Sequence, residues 1–160
     1  GEDAKLGIDL ATDVVEQVAD YVRMLAIPRR DSREGAALFA ELGCATCHVP
    51  RMATRADYPV PQIDDAPIYS DMLLHDMGEG LADNLSEFGA SGQQWRTPPL
   101  WGIGLTQEVS GHTQFLHDGR ARNLMEVVLW HGVEALPAQR QVLAFDAQQR
   151  AALLAFLNSL

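Results

Sequence analysis

The chain has 160 residues and a mass of 17.5 kDa, enough for one domain with its own core. Hydrophobic residues make up 47% of the chain and charged residues 21%, which argues against disorder. No apolar run reaches the roughly 18 residues of a membrane-spanning helix, so we expect no membrane span. With 22 acidic against 12 basic residues the net charge is -10, which repels phosphate backbones and predicts no nucleic-acid partner.

The first predicted element is an amphipathic helix over residues 12–26, whose apolar side chains recur at three- and four-residue steps. Thr12 or Asp13 is predicted to cap its start, and Asp13 with Glu16 three places later has the pattern of a capping box. Pro28 predicts the end, because the residue before a proline is disfavoured in helical geometry.

A second helix is predicted from about residue 33 to residue 42, with Ser32 at its N-cap. Gly43 is a plausible left-handed terminator for it. Prolines then deny residues 49–66 regular hydrogen bonding, which predicts a loop. Residues 73–78 form a short apolar run that fits either a strand or a helical turn.

Two further helices are predicted in the C-terminal third. One spans residues 123–132, with Asn123 at the N-cap and Gly132 as terminator. Its apolar face includes His131, at the same helical register as the leucine and valine side chains before it. The last helix starts at Asp146 and continues to the end of the chain.

The two cysteines of the chain, Cys44 and Cys47, are followed at once by His48. This C-x-x-C-H pattern is the signature of covalent c-type haem attachment. Two thiols three positions apart reach the two vinyl groups of one porphyrin, and the next histidine supplies an imidazole to the iron. A thioredoxin-like dithiol would need a βαβ context and a structural zinc site four ligands, so both fit the sequence less well. The sequence therefore predicts one covalent haem c.

The second axial ligand decides what such a haem can do. His131 is the favoured candidate because it lies on the apolar face of a capped helix, far along the chain from His48. Met77 is the main alternative. Other histidines and methionines, or an open iron site, also stay possible at this point: Met52, Met72, Met125, His75, His112 and His117.

Several other side chains are candidates for contact with the haem. Arg96 and Arg120 suit its propionates, because a guanidinium fork matches a carboxylate. His75 and His117 each precede an aspartate and either orient a ligand or contact a propionate. The aromatic residues expected to pack the haem crevice or the core are Phe39, Phe115, Trp95, Trp101 and Trp130.

Covalent haem also bears on the compartment, because in most bacteria it is attached outside the cytoplasmic membrane. We therefore expect a periplasmic or otherwise exported protein. No secretory signal opens this sequence, which is the pattern expected of a mature or trimmed chain.

Longer motifs in the chain resemble the C-terminal haem domain of bacterial di-haem oxidoreductases, also called thiol oxidoreductases, which are related to di-haem cytochrome c peroxidases. The similarity covers roughly residues 31–160. Its motifs are residues 69–78 (Tyr-Ser-Asp-Met-Leu-Leu-His-Asp-Met-Gly), 96–100 (Arg-Thr-Pro-Pro-Leu), 115–120 (Phe-Leu-His-Asp-Gly-Arg), 123–128 (Asn-Leu-Met-Glu-Val-Val) and 129–132 (Leu-Trp-His-Gly).

The resemblance implies an all-α cytochrome c-type domain with long loops wrapping one covalently attached haem. Its motifs add Pro98, Leu100 and Leu116 to the expected haem contacts. In the peroxidases a methionine just past the Leu-x-Glu-x-Val helix completes this haem, and by register His131 holds that place here. The departure implies bis-histidine ligation, which lowers the reduction potential relative to a histidine–methionine pair.

The resemblance also implies a domain organisation. Residues 1–29 would be a linker and closing helix of a preceding haem domain, absent here, and residues 30–160 the c-type cytochrome domain. In such enzymes the peroxidatic haem belongs to the other half, so this domain is expected to relay electrons to a redox partner protein or a second haem domain. Members can hold calcium between domains, but no residue of this chain is assigned to it.

The competing expectation is a haem enzyme with an open iron site. It would reduce peroxide or oxidise a small molecule, with His75, His112 or His117 as acid–base group. The ligation state of the iron separates it from the relay.

Overall fold

A computed structural model describes residues 10–27, 35–57 and 62–160 of the chain. In this part the chain is helical with long loops, as expected for the fold class. The α-helices are α1 (Thr12–Arg23), α2 (Ala36–Glu41), α3 (Thr106–Ser110), α4 (Leu124–Trp130), α5 (Leu136–Leu143) and α6 (Ala147–Asn158). Two strands, β1 (Leu74–Asp76) and β2 (Gln94–Arg96), complete the regular structure with four 3₁₀ turns: Cys44–Thr46, Glu79–Leu81, Ile103–Leu105 and Val133–Ala135.

The C-terminal helix α6 forms the centre of the core. Asp146 caps it at the predicted start by accepting from the Gln149 backbone N–H, and the Gln149 side chain accepts from the Asp146 backbone N–H, which together form a capping box. The helix buries three of its residues, and the core around it is almost wholly apolar. Its buried members are Phe39, Leu42, Tyr69, Leu100, Leu124, Val142, Leu153, Phe156, Leu157 and Leu160.

Helix α2 packs directly on α6 and positions the cysteine motif. Gly35, with φ of 81°, lies against the α6 backbone so closely that a Cβ there would collide with Ala152. At the other end Gly43 has φ of 81°, which confirms it as the left-handed terminator. The chain therefore leaves α2 sharply and turns into Cys44.

The two strands pair antiparallel at the base of a long hairpin loop. Leu74 faces Arg96, and His75 faces Trp95. The strand alternative for residues 73–78 is thus the correct one. This pairing fixes where the His75 side chain lies.

Several local expectations were wrong. Helix α1 is capped by Ala11 without a side-chain bond, and none of its residues is buried. Gly132 has φ of -112° and does not end α4 in left-handed geometry. The expected cap at Ser32 lies outside the described residues. Helices α3 and α5 were not predicted, because neither offers a long apolar stripe: α5 buries Val142 alone.

The predicted N-cap of α4 is confirmed, since the Asn123 side chain accepts from the Glu126 backbone N–H at 2.9 Å. Within the described residues, no helix has both the length and the apolar character needed to cross a bilayer.

Candidate functional site

The cysteine motif forms one tight turn at the end of α2. After Gly43 the chain enters the 3₁₀ turn Cys44–Thr46, and the His48 backbone N–H donates to the Cys44 carbonyl at 2.9 Å. Burial raises the pKa of the Cys44 thiol to about 11, and burial followed by the charges of two nearby carboxylates raises the pKa of the Cys47 thiol. Both cysteines are free and stay protonated at neutral pH, which disfavours thiolate chemistry.

His48 is held with one ring nitrogen committed and the other open. Its Nδ1 lies 3.1 Å from the Tyr69 carbonyl oxygen, and since a carbonyl only accepts, Nδ1 carries the proton. Burial lowers the pKa of His48 to about 4, so the ring is neutral near pH 7. Nε2, which has no hydrogen-bond partner among the described residues, keeps its lone pair for a metal ion.

His131, at the end of α4, is prepared in the same way. Its Nδ1 donates to the Val127 carbonyl one turn back at 2.8 Å. Burial lowers the pKa of His131 as well, which keeps the ring neutral. In the part of the chain that the structure describes, its Nε2 also makes no hydrogen bond.

The rings of His48 and His131 lie close together. Their centroids are 6.3 Å apart and their planes are inclined by 46°. Two imidazoles bound through Nε2 to opposite sides of one metal ion, at about 2 Å each, have centroids roughly 6 Å apart. The donor set and its spacing therefore fit an iron ion held between His48 and His131, as haem binding requires.

The methionine alternative to His131 lies in the hairpin loop. The Met77 backbone N–H donates to the Gln93 carbonyl at 3.0 Å, and its own carbonyl lies against Gly132. Met72, another candidate, is 45% exposed, and its sulfur accepts from Arg96 Nη1 at 3.5 Å.

His75 is bound by a carboxylate at each ring nitrogen. Its Nε2 lies 2.7 Å from Asp71 Oδ2, and its Nδ1 lies 2.8 Å from Glu134 Oε2. The hydrogen bond to Glu134 is the main cause that raises the pKa of His75. The Cys47 sulfur is 3.7 Å from Nδ1, so this group touches the cysteine motif.

Ligand atoms of Cys47, Asp71 and His75 lie within 4.8 Å of one another. That spacing could admit a metal ion, but the bonds from His75 already join these groups. Both nitrogens of His75 are engaged, which leaves it no free position as an acid–base group.

The predicted propionate partners occupy different environments. Arg120 donates through Nε to Asp118 at 2.6 Å and through Nη1 to the Gly80 carbonyl, and its guanidinium lies 4.9 Å from the Trp130 ring centroid. Arg96 is exposed. Trp95 stacks on His117 with ring centroids 3.6 Å apart and planes inclined by 11°.

The remaining predicted haem contacts are distributed around the site. Phe39 is buried, and its ring centroid is 6.3 Å from that of His48. Leu100 is buried in the same core, whereas Trp101 is exposed. Pro98 is exposed and Leu116 half-buried, with a φ of 69°.

Some residues that shape the site were missed from the sequence. The Tyr69 carbonyl orients His48, and the carboxylates of Asp71 and Glu134 hold His75. Asp71 and Tyr69 lie inside a recognised motif, which was a usable signal. Glu134 carries no signal, because 59 residues separate it from His75.

A comparison with protein families places the whole chain in one of them. A family described as "di-haem oxidoreductase, putative peroxidase" matches residues 1–160. No curated protein and no solved structure gave a match.

Proposed function

The chain belongs to the di-haem oxidoreductase family, and from that premise we propose that it binds one haem c covalently and relays electrons. The family implies haem as the cofactor and redox chemistry as the activity. Haem supplies a reversible one-electron iron couple. The proposal adds the mode of attachment, the axial ligands and the role.

Cys44 and Cys47 are the proposed attachment points. Their raised pKa values keep both sulfurs as thiols, and each can add its sulfur to one carbon of a vinyl group and its hydrogen to the other. The 3₁₀ turn after Gly43 begins at Cys44 and leads through Cys47 to His48. The motif and this local geometry support a haem fixed beside the proposed proximal ligand.

The pair of rings formed by His48 and His131 is the observation that carries the proposed role. Each ring is neutral, presents Nε2, and is fixed through Nδ1 on a backbone carbonyl. Their centroid distance of 6.3 Å suits one iron between them. His48 and His131 would hold the iron through both imidazoles, a ligand set that would supply electron relay and not turnover of peroxide.

The competing function is a haem enzyme with an open iron site. It needs a histidine free to exchange protons. His75 has carboxylates at both nitrogens, His117 stacks on Trp95, and His112 is exposed, with its Nδ1 accepting from the Gln114 N–H at 3.2 Å. These contacts favour the relay.

Helix α1 supports the proposed division at residues 29 and 30. Its apolar side chains are exposed in the described part of the chain, although they recur at helical spacing. An exposed apolar helix face of this kind is typical of an interaction surface, and we propose that a second haem domain packs against it. Those side chains are Val14, Val15, Val18, Tyr21 and Val22. For the holoprotein we propose the periplasm, where haem c is matured.

Mass spectrometry of protein matured in a haem c-competent host tests attachment. We expect the polypeptide mass plus one haem, retained after denaturation, and a pyridine haemochrome typical of two thioethers. The reduced protein should show a low-spin spectrum that carbon monoxide changes only slowly. The bare polypeptide mass would contradict attachment, and a high-spin iron that binds carbon monoxide at once would favour the enzyme.

A further inference from the structure

We propose that His75 is a positioning residue that holds His131 on the haem iron, by fastening the segment after His131 to the segment beside Cys47. This inference rests on the proposed function and concerns the control of its sixth ligand. It starts from the two carboxylates at the His75 ring, Asp71 and Glu134.

The carboxylates come from the two sides of the proposed iron site. Asp71 follows Tyr69 by two residues, and the Tyr69 carbonyl orients His48. Glu134 follows His131 by three residues and lies in the 3₁₀ turn Val133–Ala135. His75 therefore joins the support of one axial ligand to the chain that continues from the other. We call Asp71, His75 and Glu134 the carboxylate clamp.

Both ends of the clamp are tied to backbone as well. Glu134 Oε1 accepts from the Asp76 N–H at 2.8 Å, so this carboxylate bridges the strand and the His75 ring. Asp71 Oδ1 accepts from the Leu73 N–H at 2.9 Å. Movement of the Val133–Ala135 turn would break two hydrogen bonds to Glu134 at once.

The segment after His131 has little else to hold it. The α4 helix ends at Trp130, and the His131 side chain bonds only within its own helix. Val133 is 53% exposed and Glu134 is on the surface. The Met77 carbonyl lies close to Gly132, but this steric contact adds no hydrogen bond between the two segments. The clamp is therefore the main polar tie of this segment within the described chain.

The clamp works only with a charged imidazole. A neutral ring donates one hydrogen bond, whereas the imidazolium donates two and satisfies both carboxylates. The side chains of His75 and Asp71 are only 17% and 12% exposed, so water screens their attraction weakly. The groups that face the ring are Asp71, Glu134 and the Cys47 sulfur, with the charge of His48 nearby when it is protonated.

The test measures release of the sixth ligand in the haem-loaded protein. Carbon monoxide binds a six-coordinate ferrous haem only after one axial ligand leaves. Replacing an outer residue that orients a metal ligand changes binding roughly 10- to 100-fold, so we expect His75→Gln to speed carbon monoxide binding within that range. Haem content and the midpoint reduction potential are measured on the same sample.

Glu134→Gln is the second variant and leaves the His75–Asp71 pair in place. We expect an increase in the rate of carbon monoxide binding at least as large as that of His75→Gln, since both hydrogen bonds from the 71–76 segment to the turn after His131 end on the Glu134 carboxylate. Because Glu134 is about half exposed, this variant decides the question if His75→Gln does not accumulate with haem. Glu108→Gln, an exposed glutamate on α3, is the matched control and should bind at the wild-type rate.

The outcomes separate this inference from the proposed function. Wild-type rates in both clamp variants would overturn the clamp and leave bis-histidine ligation intact. If His131→Gly also left the low-spin spectrum unchanged, His131 would not be the ligand, and both would fall. Faster binding in the clamp variants, with Glu108→Gln unchanged, is the supporting result.

Discussion

The Nδ1 atoms of His48 and His131 are both bonded to backbone carbonyls, of Tyr69 and Val127, and the centroids of the two rings lie 6.3 Å apart. Each bond selects the tautomer that leaves Nε2 unprotonated, and burial of each ring lowers its pKa. The protein therefore holds two neutral imidazoles close together, as the proposed ligation of one iron requires. This relationship underlies the predictions that follow.

Removing the proposed sixth ligand should open the iron. We expect His131→Gly to convert the low-spin spectrum of the holoprotein to a high-spin one, because glycine has no side chain to bind the iron. Optical and electron paramagnetic resonance spectra measure the change. Imidazole added to the variant should restore the low-spin form, and a spectrum identical to wild type would remove His131 from the iron.

A methyl group at Gly132 should disturb the same segment by steric contact. A Cβ there would lie 2.7 Å from the Met77 carbonyl oxygen, so Gly132→Ala should cost about 1–3 kcal/mol in the free energy of unfolding. Denaturant unfolding of the holoprotein measures it. Gly89→Ala is the matched control, because nothing lies within 4 Å of its Cβ. Equal stability of the two variants would contradict the close packing.

The buried hydroxyl of Ser70 should contribute to stability near the clamp. It donates to the Thr97 carbonyl at 2.8 Å and accepts from the Met72 N–H at 2.9 Å, with 0% of the residue exposed. Ser70→Ala removes the partner of the Thr97 carbonyl and of the Met72 N–H and should cost roughly 1–3 kcal/mol. Thermal unfolding checks this against Ser110→Ala, an exposed site where a change within about 0.5 kcal/mol is expected.

Stability should depend on pH through His75. The hydrogen bonds to Glu134 and Asp71 raise the pKa of His75 above its ordinary value of 6.5. A raised histidine pKa contributes stability that is complete below that ordinary value and is lost as pH rises through the raised one. The hydrogen bond to His75 lowers the pKa of Glu134. The stability that this carboxylate contributes is therefore lost as the pH falls through that lowered pKa.

The difference in unfolding free energy between wild type and His75→Gln, followed across pH, measures this dependence. We expect it to be largest near pH 6 and to shrink on the alkaline side, as the imidazolium is lost. A difference that stays constant from acid to alkaline pH would show that the clamp is not ionic.

Deleting residues 1–27 should leave the rest of the protein folded. No residue of α1 is buried in the described chain, so its removal takes little from the core. We expect the unfolding temperature and haem content of the truncated holoprotein to match those of the full chain. Loss of cooperative unfolding would make α1 integral to the fold and contradict its assignment to another domain.

Much of the site was predictable because it depends on local chemistry. The spacing of Cys44, Cys47 and His48 is a property of five consecutive residues, and the register of His131 follows from helical periodicity. The left-handed Gly43 and the cap residues Asn123 and Asp146 act on backbone groups within a few positions. Such features need no knowledge of distant residues.

The failures have one physical cause. Gly132 was predicted to end a helix in left-handed geometry. The structure instead shows that a side chain at this position would collide with the Met77 carbonyl, which comes from another part of the chain. Helices α3 and α5 are short and carry weak patterns, so tertiary packing decides that they form.

By itself the sequence determined the attachment motif, the helical class and the two histidines that we propose as ligands. Only the tertiary structure decided that His75 meets both Asp71 and Glu134, and that a carbonyl of Tyr69 selects the tautomer of His48. These contacts join segments far apart in the chain. Their formation depends on how the core brings the loops together, which no local pattern of residues encodes.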